Sequence, residues 1–596
     1  MKRLLTATLS WLLAAHVCAQ ATPCDSMQAC ERAIQRGAYA SARAGLAPLS
    51  RGRQGSAAVL ALAQLDLLTG HYRDGSQRLR PLLRAGGATR IAASTLLGEL
   101  ELASGHLDPA QRAFSAVGDE PTAHRARVLL GRLLIRRGRS SEAQQPLMAL
   151  IQAYNDGSID PHDAEGLCYV AMAAAMLGSA RDANDAFLES TRVDPRRVET
   201  QLEWAELFLS HYDPGHAEES VQAALEVNPR SARAHALLAR VALVQSHDFL
   251  SAEASLERAL STNPNLPEAH VLRAGISIRD MDLGAAAAHL DAALAIDSNH
   301  LEALSVRAVL PFLRGDEAAY RAARQEVLDR NPHYSQLYTT ISEYAEWEHR
   351  YAQIVALARE AIRIAPNDAD AHATLGINLL RLGQEEEGLG ALRDAWARDH
   401  YNVRVFNLLE LWDHTITPHY QQVTDGPFVF RMHEDERAVL APTLSAVLGG
   451  AFDDMRRRYG FTPQTPVHIE LFSDREHFSV RTVGLPNAGV QGVCFGRVVT
   501  ALSPHAGAFN WAEITWHELA HVFHLQLSGN RVPRWFTEGL AEYETMLARP
   551  EWRREEDHRL YLALVAGRLP PVSRLNHAFT HARTADAITV AYYASS

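Results

Sequence analysis

The sequence predicts a mainly α protein: a long N-terminal solenoid of helical hairpins followed by a smaller α+β domain. Three observations carry that expectation. Pro161, Pro195, Pro229, Pro264, Pro332 and Pro366 recur in steps of 34 residues, once 35, with Ser298 on the skipped beat. After about residue 425 the helical spacing gives way to short alternating or apolar runs. Two further helical segments, between about 510 and 548, then carry His and Glu at spacings that can bring their side chains together.

At 596 residues the chain exceeds one core, so two to four domains are expected. The net charge of -12 is spread along the chain, and no basic patch is interleaved with aromatics, which argues against a nucleic-acid partner. The N-terminus pairs Lys2 and Arg3 with an apolar run from Leu4 to Val17 and an Ala19-Gln20-Ala21 cleavage site. Residues 1–21 therefore read as a signal peptide cleaved after Ala21, and the protein as exported, periplasmic or secreted. A lipoprotein anchor at Cys18 is the weaker option because bulky Val17 precedes it. No later segment is apolar for long enough to cross a membrane. Cys24 and Cys30 can close a small disulfide loop in an oxidising compartment. Cys168 and Cys494 read as small buried side chains rather than catalytic thiols.

Residues 22–425 form the helical array, most regular over 130–410, with less evenly spaced pairs over 30–130. Ala217, Ala252 and Ala286 recur in step, as do Ala224, Ala259 and Ala293. Small residues there let paired helices approach, and each Pro stops the second helix before the next begins. The period and the segments ALEVNP, ALSTNP and ALAIDS resemble tetratricopeptide repeats. The resemblance implies a superhelix whose concave face binds peptides or partner proteins.

In the region 426–596, FVFRMH (428–433) and VHIELF (467–472) read as strands with a helix between them. GVQGVCFGRVVTAL (489–502) reads as one or two more. The next helix starts at Asn510, an N-cap with Glu513 as capping-box partner, and stops at Gly529. Within it, HELAH sets His517 and His521 one turn apart on one face, as two zinc ligands require. Glu518 is placed to take a proton from an activated water. Pro533 opens a further helix, PRWFTEGLAEYETML, which returns Glu538 towards the metal 17 residues after His521. Gly539 is expected to let these two helices pack closely. Glu542, one turn beyond Glu538, is placed to orient a ligand imidazole.

HELAH and WFTEGLAEY together look like the gluzincin (peptidase MA-like) metallopeptidases. The resemblance implies a zincin-like domain with Zn2+ held by His517, His521 and Glu538, Glu518 as general base and Glu542 behind a ligand. It also implies an oxyanion partner from a downstream helix, here Tyr592 or Tyr593 in AYYASS. In such proteins that helix continues, so the end at Ser596 reads as a truncation, with weak or unstable activity expected. A metzincin assignment fails because His524 and Leu527 stand where that family has Gly and His. GVQGVCFG lacks the aminopeptidase G-x-M-x-N pattern, which favours an endopeptidase, though its backbone can still pair with an extended substrate. His524 reads as a core histidine or one lying behind the ligands rather than a fourth ligand, Trp511, Trp516, Trp535 and Phe536 as packing around the site, and Arg531 and Arg534 as a solvated loop rather than a carboxylate clamp. The resulting expectation is an exported zinc peptidase whose repeats recruit protein or peptide partners. The alternative is a repeat adaptor with a vestigial or weakly active zincin domain.

Overall fold

Two polar positions punctuate the central repeats of the array. Asp213, Asp248, Asp282 and Asp316 cap the second helices of successive hairpins, each accepting the backbone N–H three residues on. Such a cap stabilises a helix by about 1 kcal/mol. Asp194, Asn228, Asn263, Asp297 and Asn331 follow those helices and turn the chain by accepting the N–H two residues on. In this computed structural model residues 22–246, 248–487, 489–582 and 584–596 are described. The expected signal peptide, with Cys18 and Ala21, lies outside them.

The helical hairpins run from Met27–Gln35 with Tyr39–Leu49 to Ala369–Arg381 with Glu385–Arg398, and a last helix, Val403–Leu411, follows. The chain is thus mainly helical and its array a tetratricopeptide-like solenoid. Ala217, Ala224, Ala252, Ala259, Ala286 and Ala293 are all fully buried, as their recurrence predicts. The irregular pairs before residue 130 are hairpins too. Cys24 and Cys30 are joined in a disulfide, and Cys168 and Cys494 are free and buried. Burial pushes the Cys168 thiol up to about 12, which makes it a poor nucleophile. Among the described residues no helix is long and apolar enough to cross a membrane.

The superhelix winds so tightly that one turn touches the next. Asn228 Nδ2 donates to the Tyr39 hydroxyl at 2.9 Å, and Asn263 Nδ2 to the Tyr72 hydroxyl at 3.0 Å, across 189 and 191 positions. Asn265 and Asn299 donate to the carbonyls of Gly70 and Gly105 at 3.0 Å. Gly37, Gly70, Gly105 and Gly138 have φ between +71° and +79°. A Cβ on any of them would come within 2.3–2.5 Å of the Asn228, Asn263, Asp297 or Asn331 side-chain oxygen. The Asn or Asp that turns one repeat therefore also seats the glycine turn of a repeat one superhelical turn away.

Charged side chains on the first helices pair with one another along the array. Arg125 joins Glu99 at 2.7 Å to Glu199 at 2.6 Å, while Glu203 lies between Arg132 and Arg233 at 2.5 and 2.8 Å. Burial opposes the Glu203 charge, but the two guanidinium groups hold its carboxyl down at about 2. This face is therefore largely self-neutralised.

The second domain contains a five-stranded sheet. Its elements are β1 (Tyr420–Asp425), β2 (Phe428–His433), α1 (Glu434–Tyr459), β3 (Val467–Phe472), α2 (Arg475–Val483), β4 (Gly492–Cys494) and β5 (Val498–Leu502). Five helices complete it: α3 (Trp511–Ser528), α4 (Arg534–Ala548), α5 (Arg554–Val565) and, after a short turn, α6 (Leu575–Thr580) and α7 (Ala585–Ser595) as the closing pair. Strand order is β1-β2-β3-β5-β4, with β2, β3 and β5 parallel and the two edge strands antiparallel. Leu444, Leu448 and Phe452 of α1 pack with Phe430, Ile469 and Phe523 in one core. The boundary expected at 425/426 shifts upstream, because β1 begins at Tyr420. That strand is an edge whose residues are mostly exposed, so YQQVTD carries no apolar alternation to read.

The sheet docks on the array through buried charge. Glu470 lies between Arg431 at 3.1 Å and Arg481 at 2.8 Å, and Arg431 also holds Glu385 of the array at 2.7 Å. Both guanidinium groups stack over Trp412, at 5.5 and 5.3 Å from its centroid. Nearby, Ala345, Tyr351 and Ile354 of the array pack with Phe495 and Val498.

The turn contacts predict unequal glycine substitutions. Gly178 has φ +86° in open space, so Gly178→Ala should cost about 1 kcal/mol from backbone strain alone. Gly105→Ala adds displacement of Asp297 and should cost clearly more in urea unfolding. Equal losses would mean that the turn-to-turn contact contributes nothing.

Candidate metal centre

Helix α3 is bounded as its sequence predicts: the Asn510 side chain accepts the Glu513 N–H, and Gly529 ends the helix at φ +58°. The Glu513 carboxylate takes the Asn510 side-chain amide at 2.8 Å. Helix α4 follows its N-cap, Pro533, and packs on α3.

These helices bring His517, His521 and Glu538 together. His517 Nε2 and His521 Nε2 are 3.1 Å apart, and each is 3.3 Å from Glu538 Oε2. Tetrahedral zinc with bonds of about 2.0–2.1 Å separates its ligands by about 3.3 Å, so the three atoms match one coordination face. The other ring nitrogens are also engaged. His517 Nδ1 lies 3.4 Å from Glu542 Oε1, and His521 Nδ1 lies 2.8 Å from the Thr537 hydroxyl. Those contacts orient the imidazoles and leave both Nε2 atoms facing the common point. Thr537 was not legible in the sequence, because a Thr one residue before a ligand carries no pattern of its own.

Charge in this pocket is concentrated and buried. Burial works against an imidazolium at His517, but Glu542, Glu538 and Glu518 outweigh it and raise the group to about 10. Burial likewise opposes the Glu538 carboxylate, yet His521, His517 and Arg534 hold it far below its usual range. Glu518 goes the other way: burial pushes its carboxyl up despite His521 and His517. Three carboxylates around two imidazoles form a site whose chemistry suits a dication. Glu518 also lies against edge strand β4, where a Cβ on Gly492 would come within 2.7 Å of its Oε1.

His524 is turned away from the trio, accepting or donating at Tyr459 Oη at 2.9 Å and Thr537 Oγ1 at 3.4 Å, as a core histidine would. Trp511 and Trp516 pack against the domain core, and Trp516 meets Trp552 edge-on. Phe536 is paired edge-on with Trp535 but stays half open to solvent.

Two expectations are corrected. Gly539 does not serve the α3–α4 contact: a Cβ there would strike the Ser595 carbonyl, so its role is to admit the end of α7. Arg534 is not part of a solvated loop. It lies 3.5 Å from Glu538 Oε1, hydrogen-bonds Tyr592 and stacks over Trp347 at 4.8 Å. Of the two tyrosines, Tyr592 faces this cluster, edge-on to Phe579 at 4.9 Å and within electrostatic reach of Glu538 and Glu518. Tyr593, its neighbour on α7, is half-buried.

The array supplies part of the surroundings. Trp347 ends the helix Gln336–Trp347, and His349 lies in the turn that leads to Tyr351–Ile364. His349 is held down at about 3 by burial, then by the nearby His521 and Arg534 charges. Nothing in the sequence links residue 349 to residue 521; only the docking of the two domains does.

The chain matches no family model and no curated protein. Two solved structures are similar at low scores. One is a chain of the APC/C hetero-tetramer Cut9–Hcn1, with TM-score 0.28 and 13% identity over 64% of this chain and 88% of that one. The other is a tetratricopeptide repeat protein from Parabacteroides merdae ATCC 43184, with TM-score 0.31 and 16% identity over 43% of this chain and 98% of that one. Likeness at that level carries no functional argument, and the class of protein is defined by the geometry above: a helical-repeat solenoid joined to a small α+β domain.

The orienting contact at His517 can be measured. If the trio takes zinc, Glu542→Gln should weaken that binding by about 10–100-fold in a competition titration while leaving the fold intact. An unchanged affinity would remove Glu542 from the site.

Proposed function

We propose that the C-terminal domain is a zinc-dependent peptidase and that the repeat array presents it with protein or peptide partners. The observation that carries this reading is the convergence of His517, His521 and Glu538 on one point, with Glu542 and Thr537 bracing the imidazoles from behind. Zinc bound there would acidify a water and polarise the scissile carbonyl.

The remaining steps belong to side chains. Glu518, with its carboxyl raised by burial, takes the water proton and passes it to the leaving amine. Tyr592 donates its hydroxyl to the developing oxyanion, and Arg534 positions it through their shared hydrogen bond. The outer edge of β4, beside Glu518, offers main-chain groups to an extended substrate. An edge strand that accepts a chain lengthwise supports an endopeptidase. The Cys24–Cys30 disulfide supports export to an oxidising compartment.

A second reading rests on the array. A solenoid of this length is by itself a scaffold for protein partners, and the repeat fold speaks more directly for an adaptor than for an enzyme. In that reading the metal-binding domain is vestigial or only weakly active.

Glu518→Gln separates the two. The peptidase reading expects about one zinc at this trio in both wild type and variant, with casein or peptide-library cleavage lost only in the variant. Tyr592→Phe should lower kcat with little change in KM, and Tyr593→Phe should leave both near wild type. Absence of cleavage by zinc-loaded wild type would leave the adaptor reading.

A further inference from the structure

A second cluster of ligand-type side chains lies where the closing helices meet the array. Asp280 occupies the turn between helices Pro267–Arg279 and Leu283–Ile296, with its side chain only 13% exposed. Facing it are His577 on α6 and His581, the residue that ends α6. Those histidines are four apart, with ring centroids 3.7 Å from one another and planes within 20°.

We propose that Asp280, His577 and His581 form a second divalent-metal site, of zinc type, which staples the closing helices to the repeat array. His577 Nδ1 lies 3.3 Å from Asp280 Oδ2, and His581 Nδ1 lies 3.5 Å from Asp280 Oδ1. Ligand atoms from all three residues fall within 4.8 Å of one another, the spacing shared with the His517 trio and with no other group among the described residues. Two imidazole nitrogens and one carboxylate oxygen are a borderline donor set that suits Zn2+.

Two further contacts hold the cluster in place. His581 Nε2 faces Glu253 Oε1 at 3.2 Å, from helix Phe249–Thr262. His581 Nδ1 meets the Thr580 hydroxyl at 2.8 Å, a contact that a metal bound at Nδ1 would replace. The Thr580 hydroxyl donates to Asp280 Oδ1, which orients the carboxylate. A dication satisfies both rings in their neutral form.

The staple has a consequence for the first site. Phe579, between the two histidines, is the ring against which Tyr592 packs. Fixing α6 to the array therefore helps hold Tyr592 over the His517 trio.

The test uses the full mature chain carrying His517→Ala and His521→Ala, stripped with chelator and titrated calorimetrically with Zn2+. One equivalent should still bind, raising the thermal midpoint. Adding Asp280→Asn, close in shape and able to preserve packing, should weaken that binding at least tenfold, as should His577→Ala. Co2+ absorption should show imidazole–carboxylate ligation that disappears with the same changes. No zinc bound after loss of the first trio, or binding indifferent to Asp280→Asn, overturns the proposal. Because the first trio is removed beforehand, failure of the peptidase reading leaves this result untouched.

Discussion

The contact between one superhelical turn and the next sets the geometry of the molecule. Each is made by an Asn or Asp that ends one repeat and a left-handed glycine about 190 residues away, with hydrogen bonds to a tyrosine hydroxyl or a carbonyl. Residues in such turns have no freedom to splay, because any side chain on the glycine would displace its neighbour. A tight pitch follows, and with it the position of the repeat surfaces against which the second domain is laid.

That position matters for chemistry. The sheet is held by Glu470, Arg431, Arg481 and Trp412, a buried charged set in which each ion has a partner and each guanidinium an aromatic face. Buried ion pairs of this kind add little net stability but penalise any alternative seating that leaves one charge unpaired. Once seated, the domain turns His517, His521 and Glu538 towards Trp347 and His349, so the array borders one side of the trio. The repeats thus shape the site as well as any partner-binding surface.

The self-pairing of Arg125, Arg132 and Arg233 with Glu99, Glu199 and Glu203 bears on what the array can recognise. A partner that relied on those charges would have to break existing pairs and desolvate them, which opposes binding. Recognition on that face therefore favours shape and main-chain hydrogen bonding over long-range charge attraction.

Local patterns determined much of this structure. A 34-residue beat demands hairpins because small residues at fixed positions can pack only one way, and HELAH sets two imidazoles one turn apart on any helix it forms. The same locality hides the rest. The edge strand Tyr420–Asp425 is mostly exposed and carries no period, Gly539 looks like a helix–helix contact until α7 is placed beside it, and Arg534 looks solvated until Trp347 and Tyr592 close round it. Those roles depend on neighbours distant in the sequence, whose positions are decided by the packing of the second domain and its docking on the array. The sequence alone could determine which helices form and which atoms they offer; only the tertiary structure could decide which of those atoms meet.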